Sequence, residues 1–481
     1  MNSAPSFFFY DLETSGINSR GARVMQFAGM RTDLNLKPIG EPENIFIKQT
    51  PDILPDPDAV LITGITPQST MLEGLTEAEF LRYFTDEIAT PGTVFLGFNT
   101  VRFDDEFMRF MHYRNFYDAY EWQWQDNRSR WDLLDVVRMT RALRPEGINW
   151  PFDVNGKPTN RLELLTALNK LSHEHAHDAL SDVYATIEVA RLIRNKQPKL
   201  FDYQFTMRDK RKVADLVNAN EPFVYCSGQY SSEFEKMAVV FKICDHPKRQ
   251  GALVYDLRHD PTQYKDMSAE QLAELWRWKK DAPEDRLPVK VLQYNKCPAV
   301  APLGVLDEKS RERLKVDLKI IQKHRAILEQ MPDLEDRLHK AVDILDEAMQ
   351  TSFLADERHV DGQLYDGFIG NKDKIAMSVV RAAQPEELNL ENMHFEDKRL
   401  EALLPLYKAR NFPKSLTDDE RKWWEDYCKR QLLDGGQSSR MAKYLARLQE
   451  IAKREDLTGH QEYLIEELKL YAESIMPEPE Y

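Results

Sequence analysis

The sequence predicts an α/β unit, then a small β-rich unit, then a helical final third, and three observations carry that reading. From residue 6 to about 195, short apolar runs alternate with segments of helical periodicity, as in a layered domain with a mixed or parallel sheet. From about 222 to 294 the apolar runs stay short and are separated by polar or Gly/Pro residues, the texture of strands. From about Asp307 onward strand signals nearly vanish and Leu, Ala, Glu, Lys and Arg dominate. At 481 residues the chain is long enough for roughly three such units, each with its own core.

In the first unit the predicted strands are 7–10, 24–30, 44–47 and 94–98, and the predicted helices 77–88, 105–114, 131–143, 161–171 and 179–194. In the last of these Val183, Ile187, Ala190 and Ile193 recur at three- and four-residue spacing, and Gln197-Pro198 ends it. In the second unit 223–225, 238–243, 252–257 and 289–294 read as strands. No internal repeat is visible, and the closing Pro-Glu-Pro-Glu-Tyr reads as a frayed tail.

A net charge of −15 argues against indiscriminate attraction to polyanions, so a nucleic-acid role needs a local basic path. Apolar runs such as Phe7-Phe8-Phe9-Tyr10 are far short of the roughly 18 residues that span a bilayer, and no secretory signal is visible. Cys226, Cys244, Cys297 and Cys428 form no CxxC pair, which predicts reduced thiols in the cytoplasm and neither disulfide nor zinc use.

Candidate chemistry lies in three acidic elements. Asp11-Leu12-Glu13 ends the first strand, where period-two alternation projects both carboxylates to one side. Alone, DxE is a common exposed strand end. Asn99-Thr100-Val101-Arg102-Phe103-Asp104 follows another strand and opens a helix, where Asp104 and Asp105 could equally serve as caps. His177-Asp178-Ala179-Leu180-Ser181-Asp182 starts the next long helix, with Asp182 one residue ahead of its apolar stripe. Oxygen donors of this kind suit Mg²⁺ or Mn²⁺, and four carboxylates can hold two such ions roughly 3.5–4 Å apart. His173, His175 and His177 would put three imidazoles on one side of an extended segment, a zinc arrangement that the nearby hard oxygen donors argue against. His173 and His175 are expected on the surface.

In this order, the three elements resemble the DEDDh 3′→5′ exonucleases, a ribonuclease H-like fold with a DxE on strand one, a later Phe-Asp and a final H-x-x-x-x-D. The resemblance implies Asp11, Glu13, Asp104 and Asp182 as metal ligands, with Glu13, Asp104 and the general base His177 acting in catalysis. Longer segments resemble one family within that group, exonuclease I. They include 60–68 (VLITGITPQ), 99–106, 113–118 (YRNFYD), 130–135 (RWDLLD), 143–150 (LRPEGINW), 295–298 (NKCP), 364–368 (LYDGF) and 409–413 (ARNFP). Beyond about 430 the likeness is mainly helical texture. The family implies a DEDDh exonuclease domain with a mixed sheet (6–196), an SH3-like β-rich domain with a helical extension (197–348) and an all-helical C-terminal domain (349–476), closing into a C-shaped channel. It also implies Mg²⁺-dependent, processive 3′→5′ hydrolysis of single-stranded DNA to deoxynucleoside 5′-monophosphates, in repair and recombination, by a monomer not attached to a membrane.

Residues 1–195 hold nineteen Lys or Arg against twenty-eight Asp or Glu, so the cations must be concentrated along a groove. The segment 307–325 carries only a modest basic excess. Better support comes from Phe116, Tyr117, Tyr120, Trp122, Trp124 and Trp131, interleaved with arginines; about half of these rings, Trp131 foremost, are expected in the core. The resemblance implies DNA contacts at Arg109, Tyr120, Trp124, Arg138 and Arg161, and from the other domains at Lys290, Gln363 and Tyr365. Trp423-Trp424 is assigned to helix packing. The family also docks the acidic C-terminal tail of single-stranded-DNA-binding protein, which implies Arg144 and Tyr203 as receptors; Asp307 and Glu329 stand where an ungapped match expects arginines. The alternatives are an RNA-directed or proofreading nuclease and a non-catalytic strand-binding scaffold.

Overall fold

A computed structural model of the chain describes residues 5–171, 178–277, 286–352 and 359–476. The first sheet comprises β1 (Ser6–Thr14), β2 (Val24–Thr32), β3 (Glu43–Phe46), β4 (Thr93–Gly97) and β5 (Ser129–Asp132), in the order β3-β2-β1-β4-β5. β1 is antiparallel to β2 and parallel to β4, so the sheet is mixed. Around it run α1 (Pro57–Thr63), α2 (Pro67–Glu73), α3 (Glu77–Tyr83), α4 (Asp104–Arg114), α5 (Leu133–Leu143), α6 (Leu162–Leu168) and α7 (Ala179–Lys196). The central strand is covered on both faces, which is why its sequence is a continuous apolar run. Phe7 and Phe9 pack with Val183, Ile187, Ala190 and Ile193 of α7, whereas Phe8, Tyr10 and Leu12 pack with Phe80, Phe84 and Met108 on the opposite face.

Two predicted elements change, and two short helices are added. The helix expected over 131–143 gives its first two residues to β5, because Asp132 is the N-cap of α5 and accepts the Leu134 N–H at 2.9 Å. The helix expected over 77–88 becomes α3 followed by a π-helical turn over Phe84–Ile88. The short helices α1 and α2 lack a periodic stripe long enough to read; Asp56 and Thr66 cap them, each with a proline in the first turn.

α8 (Pro198–Thr206) and α9 (Lys210–Val217) lead to the second sheet, β6 (Phe223–Cys226), β7 (Met237–Asp245), β8 (Gly251–Asp256), β9 (Val289–Gln293) and β10 (Ala299–Pro302). Its order is β10-β6-β7-β8-β9, antiparallel throughout. α10 (Ala269–Trp276) lies within this unit, and α11 (Glu308–Arg313), α12 (Leu318–Glu329) and α13 (Leu334–Ser352) extend it. Pro198 stops α7 and opens α8, where its missing N–H costs nothing. The strand β10 escaped prediction because it is four residues long and ends in proline. Met139, Ala142 and Leu143 of α5 belong to the same core as β7 and α13, which joins the first two units.

The last part holds α14 (Asn371–Ala382), α15 (Lys398–Asn411), α16 (Asp418–Leu433), α17 (Arg440–Ile451) and α18 (Gly459–Ser474), with no strand after β10 among the described residues. Phe110, Tyr113 and Phe116 share a core with Leu364, Met377, Leu403 and Tyr407, and Val60 packs among Leu432, Met441 and Leu468. A buried ion network also ties the ends together. Arg410 reaches Asp52 (2.7 Å) and Asp361 (2.8 Å), and Arg23 reaches Asp361 (2.5 Å). Trp424 is buried, as expected, while the half-exposed Trp423 stacks on Tyr427. No helix among the described residues is long and apolar enough to cross a membrane.

Candidate active site

The alternation that sends Phe7 and Phe9 toward α7 sends Asp11 and Glu13 the same way. α7 begins at that point: Asp178 caps it by accepting the Ser181 N–H at 3.2 Å, and Asp182 follows one residue ahead of the buried Val183. Carboxylate oxygens of Asp11, Glu13 and Asp182 lie within 4.8 Å of one another. The buried Asp104 accepts the Leu12 N–H at 3.1 Å, so it is stitched to the strand residue between the first two acids. Four side chains from three separate elements therefore converge.

Asp104 is held in place by the turn before α4. Asn99 adopts a left-handed conformation (φ 74°), which asparagine tolerates better than most residues. Asp132 accepts the N–H groups of Asn99 (3.0 Å) and Val101 (3.2 Å), which ties the turn to α5. Gly97 is obligatory here, since a Cβ would stand 2.3 Å from Thr100 Cγ2 and 2.4 Å from the Tyr10 carbonyl oxygen. The capping alternative fails for both acids. Phe103 occupies the N-cap position without a side-chain bond, and Asp105 is a core residue that takes the Tyr10 hydroxyl (2.5 Å) and the Arg130 guanidinium. His177, together with His173 and His175, lies outside the described residues.

The electrostatics are those of crowded anions. Burial, reinforced by Asp104, Glu13 and Asp182, holds the Asp11 carboxyl well above the usual range. Burial and the charges of Asp182, Asp104 and Asp178 push Glu13 up to about 8. Burial also lifts Asp104 to about 8, against its hydrogen bonds from backbone N–H groups. A divalent cation relieves this repulsion, and an all-carboxylate set fits a hard ion with oxygen preference. Because these acids hold protons more tightly folded than unfolded, they favour the fold below about pH 4 and lose that contribution as pH rises toward about 8. In EDTA the melting temperature should therefore fall over that interval more steeply than in an Asp11→Asn variant. Added Mg²⁺ should restore it most at the alkaline end. A pH profile in EDTA indistinguishable from that of the variant contradicts the crowding.

A cleft of about 1570 Å³ runs between the three units, lined by Arg109, Tyr120 and Trp124 from the first, Lys296 from the second and Tyr365 from the third. Its lining carries ten Lys or Arg side chains against four carboxylates, so the basic path absent from the overall charge is found here. Trp124 is 61% exposed and Tyr120 40%. Arg109 stacks over Tyr120 and is buried in an ion pair with Glu106 (2.5 Å). Glu106 also accepts from Lys296 Nζ (2.7 Å) and from the Tyr365 hydroxyl, so one carboxylate meets all three units. Trp124→Ala should weaken binding of a single-stranded oligonucleotide in EDTA about 5- to 150-fold, the equivalent of losing ~1–3 kcal/mol of base stacking. Unchanged affinity in a fluorescence titration would separate Trp124 from the strand.

The remaining implied contacts lie outside this lining. Arg138 pairs with Asp135 (2.6 Å), Arg161 is exposed at the start of α6 near Glu163 (3.8 Å), Lys290 sits half-buried on β9, and the Gln363 carbonyl accepts from Arg399 (2.7 Å). The 307–325 segment contributes nothing to the lining. In its place stand Arg208, Lys210 and Lys212 from the run Arg208-Asp209-Lys210-Arg211-Lys212, a signal present in the sequence but passed over. Asp178 and the fully exposed Phe368 at the cleft are likewise residues the sequence reading did not single out as site members. Half of the aromatic run is core as expected: Phe116, Trp122 and Trp131 are buried.

Arg144 and Tyr203 converge on one stretch of chain, donating to the carbonyls of Val305 (3.0 Å) and Val300 (3.3 Å). Asp307 caps α11 through the Ser310 N–H (2.8 Å), and Arg144 is among the cations that help hold its carboxyl below the usual range. Glu329 pairs with Arg325 (3.0 Å).

Family profiles match the chain over residues 8–190 (exonuclease), 208–343 (exonuclease I SH3-like domain) and 358–475 (exonuclease I C-terminal domain). The last match carries the likeness past residue 430, through α17 and α18. Exodeoxyribonuclease I of Haemophilus influenzae is 42% identical over 434 residues, covering 89% of this chain and 90% of that protein. The crystal structure of Escherichia coli exonuclease I in complex with a dA16 oligonucleotide superposes with a TM-score of 0.91 at 39% identity, covering 98% of this chain and 100% of that one. A structure of SSB/exonuclease I in complex with the inhibitor CFAM gives 0.88 at 37% identity, with 98% and 100% coverage. With all three profiles in order along the chain and whole-length likeness to these relatives, the protein belongs to the exodeoxyribonuclease I family.

Proposed function

We propose that this enzyme hydrolyses single-stranded DNA from its 3′ end at the Asp11, Glu13, Asp104 and Asp182 centre, with Mg²⁺ as the physiological ion. The convergence of those carboxylates from β1, α4 and α7 is the observation that carries the reading. Bound divalent ions would lower the pKa of the attacking water and offset charge on the departing 3′ oxygen. Asp11, Glu13 and Asp182 supply oxygen donors, while Asp104, fixed through Leu12, completes the set. His177, five residues before Asp182 in the chain, takes the proton of the attacking water. Arg109, Tyr120, Trp124 and Tyr365 hold the strand by stacking and charge, in keeping with their place in the cleft.

Labelled single-stranded DNA, the matching duplex and an RNA of the same sequence test the assignment together. Single-stranded DNA should yield mononucleotides with Mg²⁺ and none in EDTA, with the other two substrates far slower. Preferred turnover of the RNA or of the duplex would overturn it. His177→Ala should slow the single-turnover rate by about 10²–10⁴ while leaving DNA affinity intact, and a wild-type rate would remove the general-base role.

Arg144 and Tyr203 are the receptor we assign to an acidic C-terminal tail of single-stranded-DNA-binding protein, supported by their approach to the same 300–305 stretch. Asp307 beside Arg144 opposes an incoming carboxylate and makes this dock weak.

A further inference from the structure

A second group of ligating side chains stands far along the chain from the carboxylate centre, where β7 meets α13. Cys244, Glu335 and His339 each offer a ligand atom within 4.8 Å of the other two. Three features of the fold assemble them.

The first is a bulge. Along β7, Met237, Val239 and Phe241 face the core shared with α13, while Ala238 and Val240 face the opposite core. Strict alternation would turn Cys244 to the opposite core as well. The register shifts between Lys242 and Cys244, however, so that Cys244 pairs with Leu253 and joins the α13 side. A bulge re-aims a side chain in this way at the cost of one ladder position.

The second is helical spacing. Leu334, Leu338, Ala341 and Val342 are the buried stripe of α13, and Glu335 and His339, four apart, lie side by side on its flank. The third is ring orientation. His339 Nε2 donates to the Asp245 carbonyl at 2.9 Å, so Nδ1 carries the lone pair. A metal-binding histidine is usually held by such a bond from its other nitrogen. The same hairpin is tied to the next turns of α13 by Lys248, which pairs with Asp343 (2.8 Å) and Asp346 (3.0 Å).

We propose that Cys244, Glu335 and His339 form a structural zinc site that staples β7 to α13, with water as the fourth ligand. A thiolate with an imidazole and a carboxylate selects Zn²⁺ over Mg²⁺, the reverse of the all-oxygen centre, so the two sites sort metals by donor type. Binding displaces the Cys244 thiol proton to solvent as the S–Zn bond forms. The site escapes a search for paired cysteines because its other two ligands come from a helix about ninety residues further on.

The test uses the full-length chain carrying Asp11→Asn and Asp182→Asn, which weakens the competing carboxylate centre, and one equivalent of Co²⁺ as the probe. A near-ultraviolet thiolate-to-cobalt charge-transfer band should appear, be bleached by Zn²⁺ and vanish with Cys244→Ser. His339→Asn and Glu335→Gln, which keep the cysteine and replace residues outside the buried stripe, should each lower Co²⁺ affinity by more than about tenfold and abolish the rise in melting temperature that Zn²⁺ causes. Absence of the band, its persistence with Cys244→Ser, or a Zn²⁺-induced rise unaffected by the α13 substitutions would each overturn the proposal.

Discussion

Asp11→Asn should reduce Mg²⁺-dependent release of mononucleotides by about 10³-fold or more. The change removes one anionic donor from a group whose oxygens lie within 4.8 Å of one another, so metal affinity and chemistry fall together. It also removes a charge that burial and four neighbouring acids already make costly, so the metal-free variant should melt no lower than the wild type at neutral pH. Binding of single-stranded DNA in EDTA should persist, because Asp11 is not part of the cleft lining. Activity measured alongside affinity and melting temperature separates this outcome from simple misfolding. Retained turnover would mean that the acids on β1 are not the reaction centre.

Arg410→Ala should lower stability by about 3–5 kcal/mol, the usual cost of stranding a buried charge. Arg410 is 8% exposed and faces Asp52 and Asp361, both nearly inaccessible, while Arg23 answers only part of the Asp361 charge. Burial alone would raise the Asp361 carboxyl, but Arg410 and Arg23 outweigh it and hold it well below the ordinary value. That depressed carboxyl favours the fold above the unfolded pKa and loses its contribution as pH falls through the folded one. The wild type should therefore lose more stability than the variant on acidification. Adding Asp52→Asn to the variant should recover part of the loss in urea denaturation, since Asp52 is the anion stranded by losing Arg410 while Asp361 keeps Arg23. A change below about 1 kcal/mol would show that the network is not what joins the C-terminal helices to β2 and the α1 loop.

What could be read from the sequence follows the length of the physical signal. The nine-residue run of β1 and the stripe of α7 are long and periodic, and with the acids at their ends they made the carboxylate cluster legible. β5 was hidden because Trp131-Asp132 reads equally as the first turn of a helix until Asp132 is seen capping from outside. The cleft was harder. Arg109 carries the charge expected of a strand contact, yet it is buried against Glu106, and no one-dimensional pattern shows that pairing. The cysteines show the same limit, since spacing excludes a zinc motif local to the chain but not one built by a bulge and a distant helix.

Glu106 occupies a position whose effect reaches beyond holding three units together. Arg109, proposed above as a strand contact, is already engaged by a carboxylate, so a phosphate that took that N–H would exchange one anion for another. At Arg109 and Lys296 a new contact would therefore replace an older one of like kind, and the net gain at those two positions stays small. A grip made in part of such exchanges would let a polymer advance by one unit without first escaping a trap.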